Sequence, residues 1–239
     1  MATDVTRTAL ITGASRGLGL ALARGLAVAG WHLIIDGRGA AELEGARAEL
    51  AKRTTVAAIG GDVTDPLHRE ALAEAAQLAG GLDAVVNNAS QLGPSPQPNL
   101  LDYPLATLRQ VYETNVIAPL ALLQALRGRL KPLARIINIT SDAGVEPYAG
   151  WGGYGSSKAA LEHLTAILAA ENSTWHIYWV DPGDMFTQLL QEAYPGEDVS
   201  DRPLPDVSVP GLLALLGRDG DPPLPNGRYS ARDVKVERE

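Results

Sequence analysis

Short apolar runs that do not alternate with polar residues, each followed by a longer helical stretch, recur from the start of the chain. Residues 8–12, 33–35, 55–59, 82–86, 135–140 and 175–180 read as strands, and 17–29, 40–52, a segment after Pro66, 105–130 and 155–170 as the helices between them. Strands joined through helical crossovers run parallel. Strands without alternation are buried on both faces, so helices must cover both sides of the sheet. The pattern predicts an α/β fold, a doubly wound parallel sheet of about seven strands.

After Pro182 the texture changes. Prolines at 195, 203, 205, 210, 222, 223 and 225 interrupt the tail, leaving a short apolar helix, Val209–Leu216, and a last strand candidate near 228–231. Pro94, Pro96 and Pro98 mark an earlier irregular loop. Both segments follow the C-terminal end of a strand, where open α/β sheets bind ligands, which makes them candidate pocket walls. The expectation is a single domain over 1–239, with 184–225 as a Pro-rich lid and C-terminal segment.

A domain of 239 residues buries roughly 70% of its unfolded surface and needs no disulfide or metal staple. Twenty Lys and Arg against 28 Asp and Glu give a net charge of −8, which argues against nucleic acid or an anionic membrane as partner. With no cysteine, thiolate nucleophiles and iron–sulfur or thiolate zinc sites are excluded. The four histidines are scattered, so no histidine-built metal site is expected. Neither a basic-then-apolar leader nor a run of about 20 apolar residues is present, and a cytoplasmic location is expected. The sequons at Asn138 and Asn172 then read as chance.

The first strand runs into Thr12-Gly13-Ala14-Ser15-Arg16-Gly17-Leu18-Gly19. Glycines between a strand and a helix allow a tight turn and let the backbone approach a pyrophosphate at the helix N-terminus. No Gly-Lys-Ser/Thr follows, so this is not a Walker loop. The second strand ends Asp36-Gly37-Arg38. An acid there holds a ribose 2′-hydroxyl and a basic residue a 2′-phosphate, so Asp36 argues for NAD and Arg38 for NADP. Further on, Tyr154-Gly155-Ser156-Ser157-Lys158 puts a phenol and an ammonium on one helix face. Acid–base work near neutrality asks the phenol pKa to fall by about 3 units, and a nearby cation acts in that direction.

Asn87-Asn88-Ala89 closes the fourth strand, Asn115 lies in the long helix, and Ser141 ends the fifth strand. With the glycine turn, Asp62-Val63, Tyr154-x-x-x-Lys158 and Pro182-Gly183-x-x-x-Thr187, these residues resemble the short-chain dehydrogenase/reductase family in its compact single-domain subgroup, over about residues 8–187.

The resemblance implies a Rossmann-type fold and an oxidoreductase that moves a hydride between a nicotinamide cofactor and a small-molecule ketone or secondary alcohol. Tyr154 is then the general acid/base and Ser141 orients the carbonyl oxygen. Lys158 lowers the Tyr154 pKa and binds the nicotinamide ribose, and Asn115 positions a water that links Lys158 to solvent. Gly13, Ser15, Arg16, Gly17, Leu18 and Gly19 cradle the phosphates and ribose. Asp62 and Val63 take the adenine, Asn88 and Ala89 line the adenosine ribose side, and Pro182, Gly183, Met185 and Thr187 grip the nicotinamide.

Family spacing counted from Gly30 puts Gly37 at the NAD-selecting position and Arg38 at the phosphate-binding one, with Asp36 turned to the other side of the strand. With Arg16 as a second cation, NADP(H) is favoured over NAD(H). Gln91, Leu92, Ser141, Asp142, Val145, Pro147, Tyr148, Trp151 and Phe186 are expected to line a largely apolar substrate pocket, with Asp142 capping a turn.

Two departures stand out. Ser90 replaces a frequent glycine, and the tail lacks the Gly-Gly strand that helps build family tetramers, so a homodimer through the helices of Asn115 and Tyr154 is the expected assembly. The alternative function is a non-catalytic dinucleotide-binding sensor or scaffold on the same fold. Extended-branch epimerases need a larger C-terminal domain than the residues after Thr187 supply.

Overall fold

The computed structural model describes residues 6–217 and 222–234. Residues 218–221 of the expected lid segment, and both chain ends of the expected domain, lie outside the described residues. Seven parallel strands form one sheet in the order β3-β2-β1-β4-β5-β6-β7. They are β1 Thr8–Ile11, β2 His32–Gly37, β3 Val56–Gly60, β4 Leu82–Asn87, β5 Leu130–Ile139, β6 His176–Asp181 and β7 Gly227–Ser230. The strand order reverses between β1 and β4, and that switch point is where such sheets bind ligands.

The missing alternation in the strands has a direct cause. Ala9 and Ile11 of β1 pack into one apolar cluster and Leu10 between them into a second on the opposite face. Leu33 and Ile35 against Ile34 in β2, and Tyr178 and Val180 against Ile177 in β6, divide the same way. The first cluster is closed by α1 (Gly17–Val28), α2 (Ala40–Leu50) and α8 (Val209–Leu216), the second by α3 (Pro66–Leu78) and α5 (Ala118–Leu126).

The helix expected over 105–130 is broken into α4 (Leu105–Tyr112), a π-helical turn at Glu113–Ile117, α5 and a 3₁₀ turn at Arg127–Arg129. Pro119 has no N–H to give to the carbonyl of Asn115 four residues back, so a regular α-helix cannot continue through this point. β5 begins at Leu130 rather than residue 135, but its pairing with β4 shifts register between Leu82 and Ala84 and becomes regular only at Arg135. The cause lies at Pro132, followed by Leu133 with φ +64°. α6 spans Gly152–Glu171, three residues earlier than expected. α7 (Gln188–Ala193) is an unexpected helix in the Pro-rich region, started by Thr187, whose Oγ1 accepts from the Leu190 N–H at 3.3 Å.

Candidate active site

A cavity of about 1410 Å³ lies beyond the C-terminal ends of β1, β2, β4, β5 and β6. Of the residues predicted for cofactor, chemistry and substrate, all but Gly19, Asn115, Val145 and Pro147 line it.

The glycine turn is built around Thr12. Its Oγ1 accepts from the backbone N–H groups of Asn88 and Ala89 at 2.9 and 3.0 Å, and Asn88 Nδ2 donates to the Thr12 carbonyl at 2.8 Å. Gly13 has φ +64°, and a Cβ there would sit 3.0 Å from Ala89 Cα, so only glycine fits. Gly19 is spent on packing against Gly13 and Asn88 rather than on the cavity wall. α1 opens on the cavity with Arg16 at its N-cap and no side-chain cap, so its first N–H groups have no side-chain acceptor. Helix N-termini of this kind hold anions, and the turn fits a pyrophosphate.

Asp36 does not face a ribose. Its Oδ1 accepts from the Gly13 N–H at 2.6 Å and its Oδ2 lies 3.1 Å from His68 Nε2, both side chains being buried beneath the turn. Gly37 is held against Ser15, whose Cβ would be 3.0 Å from any Cβ at residue 37. Arg38 is the exposed cation at this edge, 3.9 Å from Asp62. Burial works against ionisation of Asp62, but hydrogen bonds from Thr64 and the charge of Arg38 hold its carboxyl below the ordinary value.

At the other half of the cavity Tyr154 is 7% and Lys158 2% exposed. Lys158 Nζ donates to the Ile139 carbonyl at 2.8 Å and lies 5.4 Å from the Tyr154 ring centre. Burial pushes the Lys158 ammonium down to about 7, opposed by Glu162. The expected lowering of the Tyr154 pKa is reversed in the chain by itself. Burial, reinforced by Asp142, Asp181 and Asp184, raises it, and the Ser90 hydroxyl acts the other way. The physical reason is that a fully buried phenolate loses its hydration, while the ammonium meant to replace that hydration is buried too.

Ser141 donates to Asp142 Oδ1 at 2.9 Å, and Asp142 accepts from the Ala143 N–H at 2.7 Å and the Tyr148 hydroxyl at 3.0 Å. The turn Asp142–Gly144 is itself N-capped by Ser141, whose Oγ accepts from the Ala143 N–H at 3.2 Å. The Asn115 side chain, in the π turn, is committed to protein. Its Oδ1 accepts from the Gln91 N–H at 2.8 Å and from Ser90 at 3.2 Å, while its Nδ2 donates to the Gln91 carbonyl at 2.9 Å and to Ser157 at 3.0 Å. Its contacts tie the Ser90–Gln91 loop to α6.

Above Tyr154 the wall is aromatic. The rings of Trp151 and Tyr154 lie 5.8 Å apart edge to face, and those of Trp151 and Tyr194 6.0 Å apart. Leu92, Ala143, Leu189 and Ala193 complete this cluster. Phe186 and Tyr148 sit at the exposed rim, whereas Val145 and Pro147, expected in the pocket, do not line it and are exposed. Tyr194 and His68 were given no site role from sequence, and Ser90 was noted only as a replacement for glycine; an aromatic residue inside a Pro-rich segment was the one available signal for Tyr194.

The sequence matches the family described as short chain dehydrogenase over residues 7–198. It is 34% identical over 221 residues to a 1-deoxy-11-beta-hydroxypentalenate dehydrogenase of Streptomyces arenae, covering 90% of this chain and 73% of that one. It is 30% identical over 246 residues to a benzil reductase, (S)-benzoin forming, of Saccharomyces cerevisiae, covering 92% and 93%. A short chain dehydrogenase of Shigella flexneri solved in complex with NADP superposes with a TM-score of 0.87 at 27% identity, covering 95% of this chain and 97% of the other. The chain belongs to the short-chain dehydrogenase/reductase family. It is an oxidoreductase with a Rossmann-type fold that binds a nicotinamide dinucleotide. Among the described residues no helix is long and apolar enough to cross a membrane, and no cluster of His, Asp and Glu could hold a metal ion.

Proposed function

We propose that this chain is an NADP(H)-dependent carbonyl reductase for a small, largely apolar ketone, run in reverse as a secondary alcohol dehydrogenase. The observation that carries the reading is the buried Tyr154–Lys158 pair at the floor of a cavity whose other half holds an uncapped helix N-terminus and the Arg38 cation. The turn from Gly13 to Leu18 would hold the pyrophosphate, Arg38 the 2′-phosphate, Asp62 and Val63 the adenine, Asn88 and Ala89 the ribose side, and Pro182, Gly183, Met185 and Thr187 the nicotinamide. The bound dinucleotide supplies the hydride.

The protein side of the chemistry is a proton transfer. Tyr154, kept protonated by burial, gives its proton to the carbonyl oxygen, which suits the reductive direction. Ser141 holds the same oxygen. Lys158 would bind the nicotinamide ribose, and its ammonium would stabilise the phenolate left on Tyr154 until that oxygen takes a proton back from solvent. Asn115 holds α6 in place through Ser157 and the Gln91 loop. Trp151 and Tyr194, with Tyr148, Gln91 and Phe186 at the rim, favour an aromatic or cyclic ketone, in keeping with the name of one relative, a benzil reductase. The whole chain acts as one domain, with 184–225 as lid, and works in the cytoplasm as a homodimer.

An NADPH-coupled screen of aryl and cyclic ketones tests this. Tyr154→Phe is expected to lower kcat/KM by about 100-fold or more while leaving NADPH binding intact. Full activity in that variant overturns the mechanism, and tight NADPH binding without turnover by the unaltered enzyme points instead to a sensor.

A further inference from the structure

Arg228 lies in β7, in the tail where the sequence departs from its family, and none of the roles above uses it. Its guanidinium reaches back to three elements at once. Nε lies 3.0 and 3.2 Å from the two carboxylate oxygens of Glu162 on α6. A terminal nitrogen donates to the Ser141 carbonyl at 3.3 Å and lies 3.8 Å from Asp181 at the end of β6. Glu162 is four residues beyond Lys158, one turn along the same helix face, and its side chain is only 13% exposed. A planar fork with five donors can serve two carboxylates and a carbonyl together, which a lysine cannot do with the same geometry.

We propose that Arg228 is a positioning residue for the proposed reaction: it braces the backbone of Ser141 and balances Glu162 and Asp181, and so sets how much of their charge reaches Lys158 and Tyr154. The inference rests on the roles given above to Ser141, Tyr154 and Lys158. The charged groups around that pair are Glu162 on α6, Asp142 after β5, Asp181 at the end of β6 and Asp184 beyond it. Arg202 lies 4.0 Å from Asp184, which leaves Glu162 and Asp181 to Arg228. Glu162 favours the Lys158 cation and Asp181 opposes the Tyr154 phenolate, so removal of Arg228 strengthens both effects.

The test follows Lys158 directly, in protein carrying ¹³C at the Cε of its four lysines, with Lys158→Met to assign the signal. The Lys158 midpoint should rise by at least about 0.5 pH unit in Arg228→Met and return toward the unaltered value in Arg228→Met/Glu162→Gln. Arg228→Lys, which keeps the charge, should leave the midpoint near that of the unaltered protein. On the ketone, kcat should fall severalfold in Arg228→Met with KM changed less, as expected when a reacting group is misplaced rather than binding lost. A folded Arg228→Met with an unmoved midpoint overturns the inference. If that variant does not fold, Arg228→Gln, which removes the charge but keeps a hydrogen-bonding side chain, decides: its midpoint should rise, and an unmoved one overturns the inference equally. A shifted midpoint in a protein whose parent reduces no carbonyl supports the charge balance and sinks the proposed function instead.

Discussion

At the scale of single residues, Asp36 and Arg38 differ in the direction their side chains take. Asp36 spends both oxygens beneath the glycine turn, on Gly13 and His68, while Arg38 stays exposed at the cavity edge. An acid spent on the turn cannot also select a ribose hydroxyl. Arg38→Ala is therefore predicted to weaken NADPH binding by about 10- to 100-fold, the worth of a charge-assisted phosphate contact, and to leave NADH binding unchanged. Paired fluorescence titrations at fixed salt check it; an equal loss for both cofactors would mean that the guanidinium does not meet the 2′-phosphate. The sequence made Arg38 visible through its spacing from Gly30. His68 was illegible, because nothing along the chain says that a residue in α3 comes to lie beside one in β2.

At the scale of elements, a buried amide chain fixes how α6 sits on the sheet. Asn87 Nδ2 donates to Asn138 Oδ1 at 2.7 Å, Asn138 Nδ2 donates to Thr165 at 2.7 Å, and Thr165 donates to the Leu161 carbonyl at 2.6 Å. β4, β5 and α6 are thus joined by polar groups that have no water to fall back on. Asn138→Leu strands the Asn87 amide and removes the donor to the Thr165 hydroxyl, and should cost about 2–3 kcal/mol, a fall of about 4–12 °C in Tm. Thermal unfolding monitored by circular dichroism reads this, and a change below 1 °C would show the chain to be dispensable. The buried Asn138 also explains why its sequon has no access to solvent. The break in the long helix was written in the sequence at Pro119, four residues after Asn115, but its apolar periodicity continues through the break and hides it.

For the whole molecule, burying an ammonium beside a phenol has a cost that depends on pH. Lys158 is held down to about 7 in the folded protein, against about 10.4 in the unfolded chain. Below about 7 both states carry the proton and the folded state bears the full penalty. Between about 7 and 10.4 the folded state releases its proton first, so this group's contribution to stability rises with pH across that window. Lys158→Met should accordingly be inactive yet more stable than the unaltered protein at pH 6, by at least about 1 kcal/mol or about 2–4 °C in Tm, with the gap narrowing toward pH 10. Melting curves at pH 6, 8 and 10 measure the trend; a constant gap would place the Lys158 charge outside the stability balance.

The order of elements, the parallel sheet with two covered faces, the glycine turn and the spacing of Ser141, Tyr154 and Lys158 were all determined along the chain, because each rests on periodicity or on neighbours a few residues apart. The reach of Arg228 from the last strand to Glu162, Ser141 and Asp181, the Asp36–His68 pair, and the aromatic wall of Trp151 and Tyr194 were decided only by the tertiary structure. Each joins residues more than 30 positions apart, with the tail's contacts spanning 47 to 87. Contacts at that separation depend on strand order and on which way a side chain leaves its element. Burial, which the same packing creates, then sets the charge of the phenol and the ammonium in a way that no residue type announces.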